Sequence, residues 1–156
     1  MYKVEIETTT ELTPDLLNCL LDIHRQIPEF DKPYSESEYG LRLNNKAILI
    51  MFIKVEGELA GFKLGYELNG STFYSWLGGV IPEYRNLGLA QHLLQAQESW
   101  ARESGYQQIE VKTLNRFSSM LAMLTASRYQ ITKITQATDR IENNKINLQK
   151  SLIETV

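Results

Sequence analysis

Residues 76–100 read WLGGVIPEYRNLGLAQHLLQAQESW, and the rest of the chain is organised around them. The apolar start is typical of a strand, Pro82 and Gly88 mark a turn, and the remainder has the spacing of a long helix. Such a turn presents unpaired backbone N–H groups, and the first helical turn adds the positive end of its dipole. Gly88 allows a ligand to approach the backbone closely. The stretch therefore predicts a binding site for a phosphate group.

Length and composition limit the function classes. The chain has 156 residues, and we predict a single domain over residues 1–156. Its 43% hydrophobic residues can build a core, and its net charge of -3 argues against nucleic acid as a partner. We find neither the ~20 apolar residues of a membrane span nor a signal-peptide core. A lone Cys19 suits a reducing compartment, so we expect a cytoplasmic location without membrane association.

Hydrophobic periodicity and turn signals predict seven strands and four helices. Thr13 has the character of an N-cap with Pro14 at the first helical position, and Ser35 opens a second helix near a capping box. Asn69-Gly70 predicts a hairpin, and the strand–helix–strand order after it predicts a right-handed parallel crossover. The predicted strands are residues 3–9, 47–55, 59–68, 72–80, 108–114, 129–134 and 141–152, and the predicted helices are 14–26, a short one from 35, 89–104 and 115–127.

The turn also carries a family motif. Arg85-Asn86-Leu87-Gly88-Leu89-Ala90 fits the Arg/Gln-x-x-Gly-x-Gly/Ala signature, and the chain resembles the GCN5-related N-acetyltransferases, the GNAT superfamily. The resemblance implies a mixed α/β sheet of the GNAT fold, splayed between strands 4 and 5. It also implies acetyl-CoA as co-substrate, with its pyrophosphate on the loop and its pantetheine arm along strand 4. The implied cofactor-binding residues are Gly78, Gly79, Val80, Arg85, Asn86, Leu87, Gly88, Leu89, Ala90, Gln91 and Asn115.

The paired glycines Gly78-Gly79 indicate a bulge or a close backbone contact within strand 4. A structural bulge without a ligand is the alternative. The motif Asn-x-Phe-x-x-Met-Leu beginning at Asn115 is similar to one subgroup of the family. Many members carry a tyrosine seven residues after this asparagine, which protonates the departing thiolate, whereas this chain has Ala122. A thiol of pKa ~8.5 leaves readily as thiolate, so the absence is tolerable.

Acetyl transfer to an amine needs a neutral nitrogen, although an alkylamine of pKa ~10.4 is almost fully protonated at pH 7. The site must therefore supply a base, a water chain or burial of the amine. Glu110 matches the base position of ribosomal-protein N-terminal acetyltransferases; an outward-facing strand carboxylate is the alternative. The backbone N–H of Val80 is the oxyanion donor that the resemblance implies. Glu29 and Glu67 are weaker base candidates.

The connection between the first two helices is acidic, and in proteins that the chain resembles it borders the acceptor site. Its carboxylates either form an acidic lip that attracts a cationic amine or are merely solvated. Tyr74 and Trp76 share a face of strand 4 and either line the acceptor pocket or belong to the core. The predicted acceptor-binding residues are Glu29, Tyr34, Tyr74 and Trp76, and the lip also contains Asp31, Glu36 and Glu38.

The predicted function is N-acetyltransferase: the acetyl group passes from acetyl-CoA to a primary amine of a small molecule or protein, by direct attack in a ternary complex. An acetyl-enzyme on Cys19 is disfavoured because the residue lies within a predicted helix. His24 and His92 are interpreted as packed or solvated, and no metal site is predicted. The alternative function is a non-catalytic acyl-CoA-binding sensor or regulatory module. The acceptor and the oligomeric state stay open, although homodimers are common among proteins that the chain resembles.

Overall fold

The computed structural model describes residues 2–30 and 34–153. This part of the chain contains the predicted seven strands and four α-helices. The strands are β1 Val4–Thr9, β2 Ile48–Val55, β3 Glu58–Asn69, β4 Thr72–Val80, β5 Gln108–Leu114, β6 Gln130–Thr135 and β7 Lys145–Ser151, and the helices are α1 Pro14–Arg25, α2 Glu36–Leu43, α3 Leu89–Glu103 and α4 Ser118–Ala126. The sheet order is β1-β2-β3-β4-β5-β7-β6, with β4 and β5 parallel.

One compact unit comprises the chain up to residue 67 together with residues 77–97. Strand β2 is its buried centre, and Leu49, Ile50 and Ile53 are fully inaccessible to solvent. Both predicted helix starts are confirmed. The Thr13 hydroxyl accepts the N–H of Leu16 at 3.2 Å ahead of α1, and Ser35 forms a complete capping box ahead of α2.

The second compact unit comprises residues 68–76 and 98–156. The parallel ladder between β4 and β5 has four pairs, from Thr72–Gln108 to Ser75–Val111, although both strands continue beyond it. The predicted splay of these strands stays a prediction. Phe73 contacts Trp100 and Tyr106 with ring centroids 5.2 and 5.3 Å apart.

The chain around Asn115 differs from the prediction. Helix α4 begins at Ser118, so its predicted start at Asn115 is wrong, and β7 begins at Lys145 instead of Ile141. The N–H groups of Asn115 and Arg116 donate to the carbonyls of Asn144 and Glu142 at 2.9 and 2.8 Å. These bonds hold the two residues outside the helix, and a 3₁₀ turn over Ile141–Asn143 delays β7.

The predicted hairpin after β3 is present, but Asn69 acts through its side chain. Its carboxamide oxygen accepts the N–H groups of Ser71 and Thr72 at 2.9 and 3.1 Å. Asn69 therefore ends β3, and Gly70-Ser71 forms the turn. Within the described ranges, no helix has the length and apolar character of a membrane span.

Candidate active site

The loop before α3 has an unusual backbone. After β4 the chain forms a 3₁₀ turn over Pro82–Tyr84 and then reaches Asn86 and Gly88, whose φ angles are 65° and 77°. Asparagine and glycine are the residues that tolerate this left-handed region best. A Cβ on Gly88 would meet no protein atom within 4 Å. The backbone angle, and not crowding, therefore requires glycine here, and the space above it is open.

This loop concentrates unused hydrogen-bond donors. The first bond of α3 runs from the N–H of His92 to the carbonyl of Gly88 at 3.1 Å. The backbone N–H groups of Leu87, Gly88, Leu89 and Ala90 have no hydrogen-bond partner in the described part of the chain. Left-handed residues just before a helix start turn successive N–H groups to one side as a concave anion cradle, and the dipole of the 15-residue α3 adds positive potential. A phosphate group fits this arrangement.

Arg85 turns back onto the protein. Its Nε donates to the carbonyl of Val80 at 3.2 Å, and its Nη2 donates to Oε1 of Glu29 at 2.6 Å. The hydrogen bond from Arg85 lowers the pKa of the Glu29 carboxyl. Arg85 thus ties the end of β4 to the connection after α1. The acceptor role of Glu29 stays a prediction, and in that role an amine would compete with Arg85 for the Glu29 carboxylate. Asp31 of the acidic lip lies outside the described residues.

The glycine pair in β4 has a packing role. A Cβ on Gly79 would lie 2.7 Å from Cδ1 of Ile27 and 3.5 Å from a ring carbon of Phe30. Gly79 therefore lets the segment after α1 lie directly against β4. The atoms nearest to a Cβ on Gly78 would belong to the Lys63 side chain and the Phe62 carbonyl, at 3.4 Å or more. The predicted bulge and the coenzyme contacts of both glycines stay predictions.

In the second compact unit, Glu110 lies opposite Tyr74 of β4 and Gln149 of β7. Its strand neighbours Ile109 and Val111 are buried on the other face, so Glu110 shares a face with Tyr74. Lys112 is two residues further along, and its Nζ lies 5.6 Å from the centroid of the Tyr74 ring. This face thus combines a half-buried carboxylate, an ammonium group and an aromatic ring. Trp76, two residues after Tyr74, is buried.

Asn115 is exposed at the end of β5. Its side-chain Nδ2 donates to the carbonyl of Ile141 at 3.3 Å, which fixes the carboxamide against the 3₁₀ turn. Ala122 is exposed on α4 and supplies no proton. Among residues 2–30 and 34–153, no three His, Cys, Asp or Glu side chains are close enough together to hold a metal ion.

The structure shows an aromatic cluster that sequence reasoning missed. Of the two interpretations of His24, packed or solvated, the structure shows the first: His24 is fully buried, with Nδ1 2.5 Å from the hydroxyl of Tyr39. Burial lowers the pKa of His24 to about 4, so the ring is neutral at pH 7. The rings of Phe30 and Tyr34 lie 4.0 and 5.8 Å from it. Tyr34, a predicted acceptor residue, therefore belongs to a cluster between α1 and α2.

Comparison with known proteins places the chain in a family. The model of the Acetyltransferase (GNAT) family matches residues 14–121. No curated protein matches the chain significantly. Similar solved structures include the ribosomal-protein-S18-alanine N-acetyltransferase of Escherichia coli, with a TM-score of 0.81, 15% identity and 97% coverage of each chain.

Two further structures share the fold. A GNAT acetyltransferase of Elizabethkingia anophelis with acetyl-CoA bound has a TM-score of 0.72 and 18% identity over 95% of this chain and 97% of that one. NAA60 of Arabidopsis thaliana in complex with a bisubstrate analogue has a TM-score of 0.72 and 14% identity over 94% and 98%. The predicted fold class is confirmed, and since the family model spans well over half of the sequence, this chain belongs to the GNAT family of acetyltransferases.

Proposed function

We propose that the chain is an acetyl-CoA-dependent N-acetyltransferase that acts on a primary amine by direct attack in a ternary complex. The observation that carries the proposal is the loop before α3, where four consecutive N–H groups, from Leu87 to Ala90, lack a partner among the described residues. A pyrophosphate supplies the acceptor atoms that such a cradle needs. The family match makes acetyl-CoA the carrier of that pyrophosphate.

The coenzyme is proposed to bind along β4 and at the start of α3. Gln91 in the first turn of α3 is a further proposed contact, and Gly78, Gly79 and Val80 offer the edge of β4 to the pantetheine arm, as an added strand would use it. Asn115 is the proposed contact at the end of β5. Bound acetyl-CoA supplies an activated thioester. The hydrogen bond from Arg85 to the Val80 carbonyl fixes the peptide plane that follows Val80, next to the N–H that is proposed to contact the thioester.

Two groups of the chain are proposed to act on the reaction. The N–H of Val80 donates to the thioester oxygen as negative charge develops there. Glu110 removes the proton from the incoming ammonium, and a positioned base of this kind contributes roughly 10²–10⁴-fold. Tyr74 and Trp76 are the proposed wall of the acceptor site. Because Ala122 offers no proton, the thiol leaves as thiolate.

Cys19 supports direct attack. The thiol is half-buried in α1, and burial raises its pKa, with Asp22 adding to the effect. The thiolate is the nucleophilic form, so this cysteine is poorly suited to carry the acetyl group. A ternary complex needs no covalent carrier. A cytoplasmic location and a homodimer stay predictions.

Release of thiol from acetyl-CoA in the presence of a panel of amines tests the proposal. Initial-velocity lines should intersect as both substrates vary, whereas parallel lines would indicate a covalent acetyl-enzyme. Glu110→Gln should lower kcat roughly 10²-fold or more, and Glu103→Gln, which changes an exposed carboxylate of α3, serves as the matched control. Coenzyme binding in calorimetry without thiol release from any amine would instead favour the sensor.

A further inference from the structure

An open cleft lies beside α2 in the first compact unit. It has a volume of about 400 Å³ and is lined by Tyr34, Glu38, Leu41, Arg42 and Lys46. Leu41 is 81% exposed, which leaves an apolar side chain at the rim. Small-molecule sites have volumes of roughly 300–1,000 Å³ and combine apolar walls with a few polar groups. The cleft has the size and lining of such a site.

Two cations in this cleft are oriented by one phenol. Nη1 of Arg42 donates to the hydroxyl of Tyr66 at 3.1 Å, and Nζ of Lys46 lies 4.4 Å from the centroid of the same ring. The cleft also contains Glu38, whose Oε1 accepts the N–H of Ser35 at 3.2 Å in the capping box. The described lining thus contains two cationic side chains and one anionic side chain, and a planar guanidinium beside an ammonium suits a carboxylate.

A continuous series of contacts connects the cleft with the proposed acyl site. Tyr34 faces His24, His24 contacts Phe30, and Phe30 lies against Gly79 immediately before Val80. Phe30 also faces Phe62 with ring centroids 6.1 Å apart. Tyr66 is four residues beyond Phe62 on the same face of β3, which corresponds to about 13 Å.

We propose that this cleft is a carboxylate subsite of the acceptor and that the acceptor is an amine that also carries a carboxylate. The proposal rests on the proposed N-acetyltransferase function and adds the chemical class of its substrate. Arg42 and Lys46 bind the carboxylate, while Tyr34 and Leu41 contact the chain between the two charged ends. A short peptide with a free C-terminus belongs to this class.

Kinetics with trialanine and its C-terminal amide test the subsite, because the two share one amino group and differ only at the remote carboxyl. The wild type should show kcat/KM about fivefold higher for trialanine. Lys46→Gln should bring the ratio close to one, Leu41→Lys should increase it, and Lys133→Gln on β6 should leave it unchanged. The same comparison is made with 8-aminooctanoate and its amide, which contain no peptide bond between the two ends. If only trialanine is preferred over its amide, the subsite binds the carboxylate of a peptide.

Two results separate this inference from the proposed function. Thiol release with a wild-type ratio near one, or a ratio that Lys46→Gln leaves unchanged, overturns the subsite while the acetyltransferase stands. Absence of thiol release with every amine overturns the acetyltransferase. In that case N-acetyltrialanine is titrated into ¹⁵N-labelled protein: shifts at Leu41 and Arg42 that Lys46→Gln abolishes support the subsite, and their absence overturns it.

Discussion

Replacing Gly88 by glutamate gives the sharpest test of the proposed coenzyme loop. Gly88 has φ 77°, and its missing Cβ would meet no protein atom within 4 Å. Gly57, in the turn between β2 and β3, has φ 82° and is equally open. Gly57→Glu therefore imposes the same backbone strain and adds the same charge without placing it in the cradle.

The expected loss of affinity follows from charge repulsion, since backbone strain lowers the stability of the free and the bound protein alike. A side chain held in the left-handed region costs about 1–2 kcal/mol, and this term is common to both variants. A carboxylate ~4 Å from a phosphate, at an effective dielectric constant of about 20, repels it by roughly 4 kcal/mol. This repulsion corresponds to about a 1,000-fold increase in the Kd of coenzyme A. Gly57→Glu should change the Kd less than about twofold because its charge lies in a different turn.

Titration calorimetry with coenzyme A at low salt measures the effect, and urea unfolding checks that both variants fold and lose similar stability. Gly88→Gln has nearly the same volume without the charge, so it separates crowding from repulsion. Unchanged affinity in Gly88→Glu would refute the phosphate cradle. An equal loss in Gly57→Glu would show that backbone strain acts on the whole unit and that the loop has no special role.

Three further predictions concern packing. Because burial lowers the pKa of His24 to about 4, protons bind the unfolded chain more tightly than the folded one below pH ~6.5. The free energy of unfolding should therefore fall by roughly 3 kcal/mol between about pH 6.5 and 4. Urea unfolding of His24→Gln over the same pH range should lack this step. Gly79→Ala should cost about 1–3 kcal/mol in urea unfolding through the clash with Cδ1 of Ile27, and Ile27→Val should restore much of it; additive losses would contradict the clash. Tyr129→Phe removes a 2.8 Å hydrogen bond to the buried Glu98 carboxylate and should cost roughly 1.5–3 kcal/mol in urea unfolding, without a change in coenzyme affinity; unchanged stability would contradict this.

The parts of the fold that sequence predicts are those that local chemistry decides. Thr13 and Ser35 cap the helices that they precede, because a cap involves residues three apart. The starts of α4 and β7 depend instead on hydrogen bonds from Asn115 and Arg116 to carbonyls far along the chain. Hydrophobic periodicity carries no information about such bonds, so the helix predicted from it begins three residues before α4.

The candidate site divides in the same way. The loop around Gly88 is a local motif, and its left-handed glycine follows from the sequence. The ion pair of Arg85 with Glu29 joins residues 56 positions apart, and the hydrogen bond of Arg42 to Tyr66 joins residues 24 apart. Each depends on which elements become neighbours. A carboxylate in an acidic stretch thus proved to have a cationic partner, and two cations after that stretch proved to line a cleft.

The contact between Ile27 and Gly79 connects both proposals within the first compact unit. The Arg85–Glu29 pair, with side chains 36% and 43% exposed, contributes no more than about 1 kcal/mol. Ile27 is 3% exposed, so its apolar contact is the stronger anchor of this segment. A Cβ at position 79 would displace Cδ1 of Ile27, in the same segment as Phe30 and the ring cluster that leads to the cleft. The glycine whose neighbour Val80 is proposed to stabilise the reacting thioester therefore also positions the segment that leads through Phe30 and His24 to Tyr34 in the proposed carboxylate subsite.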